Sequence, residues 1–98
     1  MNTSANEIIR PIAAAVTVTE AALVIVLGDG RTISVPISWY PRLEHATQSE
    51  RQRWELIGSG TGIHWPLIDE DVSVEALLAG RRSSESDTSL QRWLARRR

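Results

Sequence analysis

From Val16 onward apolar and polar residues alternate, Val16 and Val18 against Thr17 and Thr19, which is the two-residue period of a strand with one wet face. Residues 23–27 then run apolar without a break and are rich in β-branched side chains, which predicts a central strand covered on both faces. Gly28-Asp29-Gly30 follows, and an Asp-Gly pair readily supplies the positive φ angles of a tight reversal. Ile33, Val35 and Ile37 alternate with Thr32 and Ser34 as a third strand. Together these runs predict a three-stranded antiparallel meander. Pro36 cannot donate to a ladder, so the third strand ends or lies at an edge near it.

The pattern then turns helical. Ser38 is placed to cap a short helix over residues 39–46, with Pro41 tolerated in the first turn. Thr47-Gln48-Ser49-Glu50 has the spacing of a capping box and predicts another helical turn or two, to about residue 53. Trp54 and Leu56, then Ile63 and Trp65, flank Gly58-Ser59-Gly60-Thr61-Gly62 and predict a second hairpin stopped by Pro66. The acidic run Asp69-Glu70-Asp71 reads as the lead into a helix over residues 73–79, capped by Ser73 and ended by Gly80. Asp87 is placed to cap a last helix in which Leu90, Trp93 and Leu94 fall at i, i+3 and i+4, one narrow apolar stripe between arginines. The fold class is thus α+β: a meander plus a second β-hairpin packed with short helices, and a C-terminal amphipathic helix. Its organisation reads as a loose leader over residues 1–15, a core domain over 16–80, and a polar linker with an Arg-rich helix over 81–98.

Composition adds limits. With 98 residues, 42% of them apolar, the chain can build one core but not two. Bulky volume must come from four tryptophans and the aliphatics, since Phe is absent and there is one tyrosine. Without cysteine there is no disulfide, no thiol nucleophile and no thiolate zinc site, in keeping with a reducing compartment. No basic-then-apolar signal pattern opens the chain and no run of about 18 apolar residues occurs, so the chain reads as cytoplasmic, with no membrane partner.

A net charge of -1 hides an asymmetry: residues 1–80 carry five arginines against ten acids, and residues 81–98 carry six arginines against Glu85 and Asp87. All eleven basic residues are Arg, which favours forked contact with carboxylate or phosphate, although a codon bias against lysine accounts for it as simply.

The blocks TISVPISWYPRLEHAT, RWELIGSGTGIHWP, DEDVSVEALLAG and SLQRWLARR resemble the bacterial domain-of-unknown-function family 2442 (DUF2442) over residues 16–97. The resemblance implies a small α+β domain, found alone or joined to a helix-turn-helix region, and often encoded beside another small protein in gene pairs proposed to be toxin–antitoxin modules. At 98 residues the chain is expected to lack room for an added helix-turn-helix domain, so the DNA-binding form of the family is not expected to transfer to it. No catalytic residues are established for that family, so the resemblance assigns none.

The candidate chemistry is thin. The Gly58–Gly62 run lacks the Lys and the following helix of a phosphate loop and reads as a hairpin turn. His45 and His64 with Asp69, Glu70 and Asp71 could hold a metal that activates water, but their spacing matches no compact ligand motif. A triad of Ser59 or Ser38 with His64 lacks a nucleophile elbow. Trp39-Tyr40-Pro41-Arg42 places two adjacent aromatics at a strand-to-helix corner, where both cannot face one core, and Trp, Tyr and Arg are hot-spot residue types. The last helix offers Leu90, Trp93 and Leu94 for docking, and Arg92 and Arg96 beside them for pairing. An isolated helix so short is barely stable in water, so its stripe needs a surface: a partner, a second copy, or its own domain. Its final three arginines then read as solvated ends.

The leading reading is a non-enzymatic protein-binding module without cofactor, the antitoxin-like or regulatory member of a two-gene system. Trp39, Tyr40, Arg42, Leu90, Arg92, Trp93, Leu94 and Arg96 form its contact surface, and the product of an adjacent gene is its partner. The alternative is a nucleic-acid-binding regulator using the Arg-rich tail. A metal-assisted hydrolase is a distant third.

Overall fold

A computed structural model describes residues 10–97; residues 1–9 of the predicted leader and Arg98 lie outside the described residues. The first sheet is the meander, with β1 (Ala13–Val18), β2 (Ala22–Leu27) and β3 (Thr32–Pro36) in the order β1-β2-β3. Gly30 has φ +95 in the β2–β3 turn, where the Leu27 N–H donates to the Arg31 carbonyl at 2.7 Å. The third strand lies at an edge and ends at Pro36, as its missing donor requires.

Two details of this sheet differ from the sequence reading. β1 begins at Ala13, inside the stretch read as leader, and its register against β2 slips between Ala13 and Ala15. The slip is a bulge that absorbs one residue, so that Ala13 and Val16, three apart, both turn inward. A bulge breaks the period of two, which is why the strand looks shorter than it is. In β2 only Leu23, Ile25 and Leu27 are buried; Val24 is half-buried and Val26 exposed, so the strand is covered on one face, not both.

The middle of the chain forms short helices. No helix spans 39–46: residues Ile37–Trp39 make a 3₁₀ turn without a Ser38 cap, and α1 (Pro41–Glu44) follows with Pro41 at its first position. Pro41 fixes its own φ and biases Tyr40 away from helical angles, which splits the segment there. α2 (Gln48–Gln52) carries the expected capping box: the Glu50 N–H donates to Thr47 Oγ1 at 3.2 Å and the Thr47 N–H to Glu50 Oε1 at 2.8 Å.

The second sheet has three strands, β4 (Glu55–Ile57), β5 (Gly62–Trp65) and β6 (Glu70–Ser73), all antiparallel in the order β4-β5-β6. The third was not expected. The turn after Pro66 reverses at Asp69, whose φ of +51 lies in the left-handed region that Asp tolerates better than most residues. The acidic run therefore becomes a strand, with Glu70 and Val72 inward and Asp71 and Ser73 outward. Gly60, at φ +97, lets the β4–β5 connection press on the first sheet; a Cβ there would sit 3.1 Å from the Ala13 carbonyl oxygen.

α3 (Val74–Leu78) starts from Ser73, whose hydroxyl accepts from the Ala76 N–H at 3.2 Å. α4 (Asp87–Arg96) is capped by Ser86, one residue earlier than expected, with Asp87 in its first turn. Leu23 and Ile25 of one sheet and Ile63 and Trp65 of the other are fully buried with Leu43, Ile68 and Val74 in one core. Trp93 closes that core from α4 at 6% exposure, and Leu90 and Leu94 pack beside it. The stripe of the last helix thus lies on its own domain. Among the described residues no helix is long and apolar enough to cross a membrane.

Candidate functional site

The corner between β3 and α1 is tied to the connector before α4. Arg42 donates from Nε and Nη2 to the Glu85 carboxylate, the latter at 2.7 Å, and from Nη1 to the Ile68 carbonyl at 2.9 Å. Ser89 on α4 donates its hydroxyl to the same Glu85 at 2.7 Å. The forked guanidinium and the hydroxyl hold the Glu85 carboxyl below its usual range. The Ser83 N–H donates to the Trp39 carbonyl at 3.0 Å and Tyr40 Oη to the Arg81 carbonyl at 3.4 Å. The stretch read as a polar linker is therefore strapped along the domain.

These bonds enclose a cleft of about 400 Å³. Its floor includes Glu70, which is 9% exposed and among the described residues accepts no hydrogen bond and joins no ion pair. Burial, and then the charge of Glu85, push this carboxyl up to about 7, against the pull of Arg42. Burial and Glu70 in turn raise the Tyr40 hydroxyl. Arg82 stacks over the Trp39 ring at 5.0 Å at the rim.

The residues proposed for partner contact from the sequence are distributed unevenly. Tyr40 faces inward at 4% exposure and Trp39 is half-buried, so Tyr40 is the aromatic that enters the core. Trp93 lies between two guanidinium groups, Arg42 at 5.3 Å and Arg97 at 4.3 Å from its ring. Leu90 and Leu94 are half-buried, whereas Arg92 and Arg96 are exposed. Arg97 is no solvated end: it bonds Glu50 through two nitrogens, at 2.9 and 2.6 Å.

The histidines do not converge. His64 on β5 meets Asp71 directly across the ladder on β6 at 2.5 Å, and that bond raises its pKa. His45 instead has Nδ1 3.0 Å from the Pro41 carbonyl oxygen. Among the described residues no three His, Asp or Glu side chains gather as a metal-ligand set.

Sequence reasoning placed Glu70 among possible metal ligands, in the acidic lead into a helix and among the acids that tail arginines could pair with, and did not single out Glu85, Ser89 or Arg82. The signal for Glu70 was present as an acid two residues before Val72, after a proline stop, which is strand spacing. The Arg42–Glu85 pair spans 43 residues and has no local signal.

Two solved structures share this architecture. A crystal structure of a protein of unknown function from Rhodospirillum rubrum ATCC 11170 is 30% identical, with a TM-score of 0.65 over 76% of this chain and 93% of that one. The solution structure of an uncharacterized protein from Chromobacterium violaceum is 26% identical, with a TM-score of 0.65 over 88% of this chain and 75% of that one. No curated protein matches the chain significantly. The family model described as protein of unknown function (DUF2442) matches residues 13–83, and the chain belongs to that family.

Proposed function

We propose that the chain is a non-enzymatic protein-binding module, the regulatory or antitoxin-like member of a two-gene system, and that its contact face is the Trp39 corner with the adjoining face of α4. The observation that carries this reading is the half-buried Trp39 under Arg82, on a corner fastened by the Ser83, Tyr40 and Arg42–Glu85 bonds. Trp and Arg are the side chains that most often dominate binding energy, and a corner already fixed loses little conformational freedom on association. Arg92 and Arg96 extend the face as solvated guanidinium groups. Tyr40, Arg42, Leu90, Trp93 and Leu94 act beneath it, as the support that sets its shape.

The test is co-expression with the product of the neighbouring gene, followed by size exclusion. A stable complex is expected, weakened at least about tenfold by Trp39→Ala, since a hot-spot truncation costs about 2 kcal/mol or more. Two folded proteins eluting separately would remove the proposal. A shift of duplex DNA at low salt that vanishes at high salt would favour the Arg-rich helix as a nucleic-acid contact instead.

A further inference from the structure

We infer that the cleft floored by Glu70 is a binding site for a guanidinium or primary ammonium group. The inference rests on the protein-binding reading for its context and specifies the chemistry that the partner brings.

The argument is one of charge and satisfied bonds. A carboxylate nine-tenths buried is stable only if paired, hydrogen-bonded or neutralised by a proton. Among the described residues Glu70 has no such bond, although it lines an open cleft. Around it stand Tyr40 and Arg42 from the α1 corner, Asp69 in the turn before its strand, Asp71 next to it on the strand, and Glu85 from the connector. Among the described residues Arg42 is the one cation acting on Glu70, and its Nε and Nη2 are already given to Glu85 and its Nη1 to the Ile68 carbonyl. Arg82 at the rim is stacked on Trp39, and Arg81 is exposed. The floor of the cleft is therefore short of one positive charge with N–H donors. An anion would meet the carboxyl groups of Asp69, Glu70 and Glu85. A metal would find no three ligands gathered among the described residues. A guanidinium or ammonium on an alkyl stem supplies the donors, and a cleft of about 400 Å³ admits it.

Such a cation binds the ionised carboxylate, so it must compete with the proton that Glu70 otherwise holds. The probe is methylguanidinium chloride added to the full chain at constant ionic strength, with the Glu70 side-chain carboxyl followed by carbon NMR against pH. Saturating probe is expected to lower the Glu70 midpoint by about one unit or more, a tenfold preference for the ionised site. A short peptide with one central arginine is expected to bind roughly tenfold more tightly at about pH 8 than at about pH 6, following the ionised fraction. Its citrulline counterpart and the Glu70→Gln chain are expected to show neither effect. A peptide that binds more tightly than the free probe identifies a partner's side chain as the source, and equal binding identifies a small free amine; both support the pocket. An unmoved midpoint, or equal binding by Glu70→Gln, overturns it. If Glu70→Gln still co-elutes undiminished with the neighbouring gene product, the pocket falls and protein binding stands. If the probe titrates Glu70 while no partner co-elutes, the pocket stands and the protein-binding reading falls.

Discussion

A carboxyl raised to about 7 in the folded chain, from an ordinary 4.5, makes Glu70 a source of instability at neutral pH. The folded state holds a proton there that the unfolded state has released, so the contribution of this group is most favourable below pH 4.5. It is lost as pH rises through the window up to about 7. At about 1.4 kcal/mol per unit the full effect is on the order of 3 kcal/mol, a sizeable part of a small domain's stability. Glu70→Gln keeps the shape and removes the ionisation. It is expected to be about 1–3 kcal/mol more stable than the parent at pH 8, with the difference vanishing below about pH 4, as read by urea unfolding at both values. A Gln variant that is weaker at pH 8 would mean that the carboxylate is paired in solution. A protein that keeps a costly buried acid facing a cleft retains a residue whose penalty disappears once a cation arrives.

At the scale of elements, α2 and α4 are held by one shared carboxylate. Glu50 closes the capping box of α2 and also receives both Arg97 bonds from the end of α4, and those bonds hold it down to about 2. The sign is opposite to that of Glu70: this contribution is present above pH 4.5 and is lost as pH falls toward about 2. Arg97→Ala removes the tie without touching the cap. It is expected to cost about 1 kcal/mol at neutral pH, since the pair is partly solvated, to fray the last turn of α4 in hydrogen exchange, and to flatten the acid limb of unfolding. Unchanged exchange in that turn would show the helix held by Trp93 alone. The cap itself was legible from four consecutive residues, because capping is a local contract between backbone and side chain. So were the meander, the β4–β5 hairpin and Ser73 as a cap. β6 was not, because three acids in a row satisfy the electrostatics of a helix start as well as those of a turn and an edge strand. Only the left-handed Asp69 decides between them. The candidate site was less legible still: Trp39 and Arg42 stood out by residue type, but Arg42–Glu85 and the inward turn of Glu70 depend on register between distant segments.

For the molecule as a whole, the question is whether α4 belongs to the domain or is a detachable arm. Trp93 is buried in the common core between Arg42 and Arg97, and the connector leading to it is bonded to Trp39, Tyr40 and Arg42. A ten-residue helix contributes little stability alone, so its order must come from this docking. Body and tail should then unfold together. Trp93→Ala is expected to cost about 3–5 kcal/mol, as truncation of a buried Trp does, while leaving one cooperative transition in which tryptophan fluorescence and far-ultraviolet dichroism coincide. The double variant Trp93→Ala with Arg42→Ala should be less destabilised than the two single changes added together, because both remove one shared contact. Two separate transitions in the parent chain, with helix lost before fluorescence changes, would instead mark residues 81–97 as an arm. The Trp39 corner, whose backbone is pinned by that same connector, would then be mobile in the free protein, and a partner would have to order it on binding.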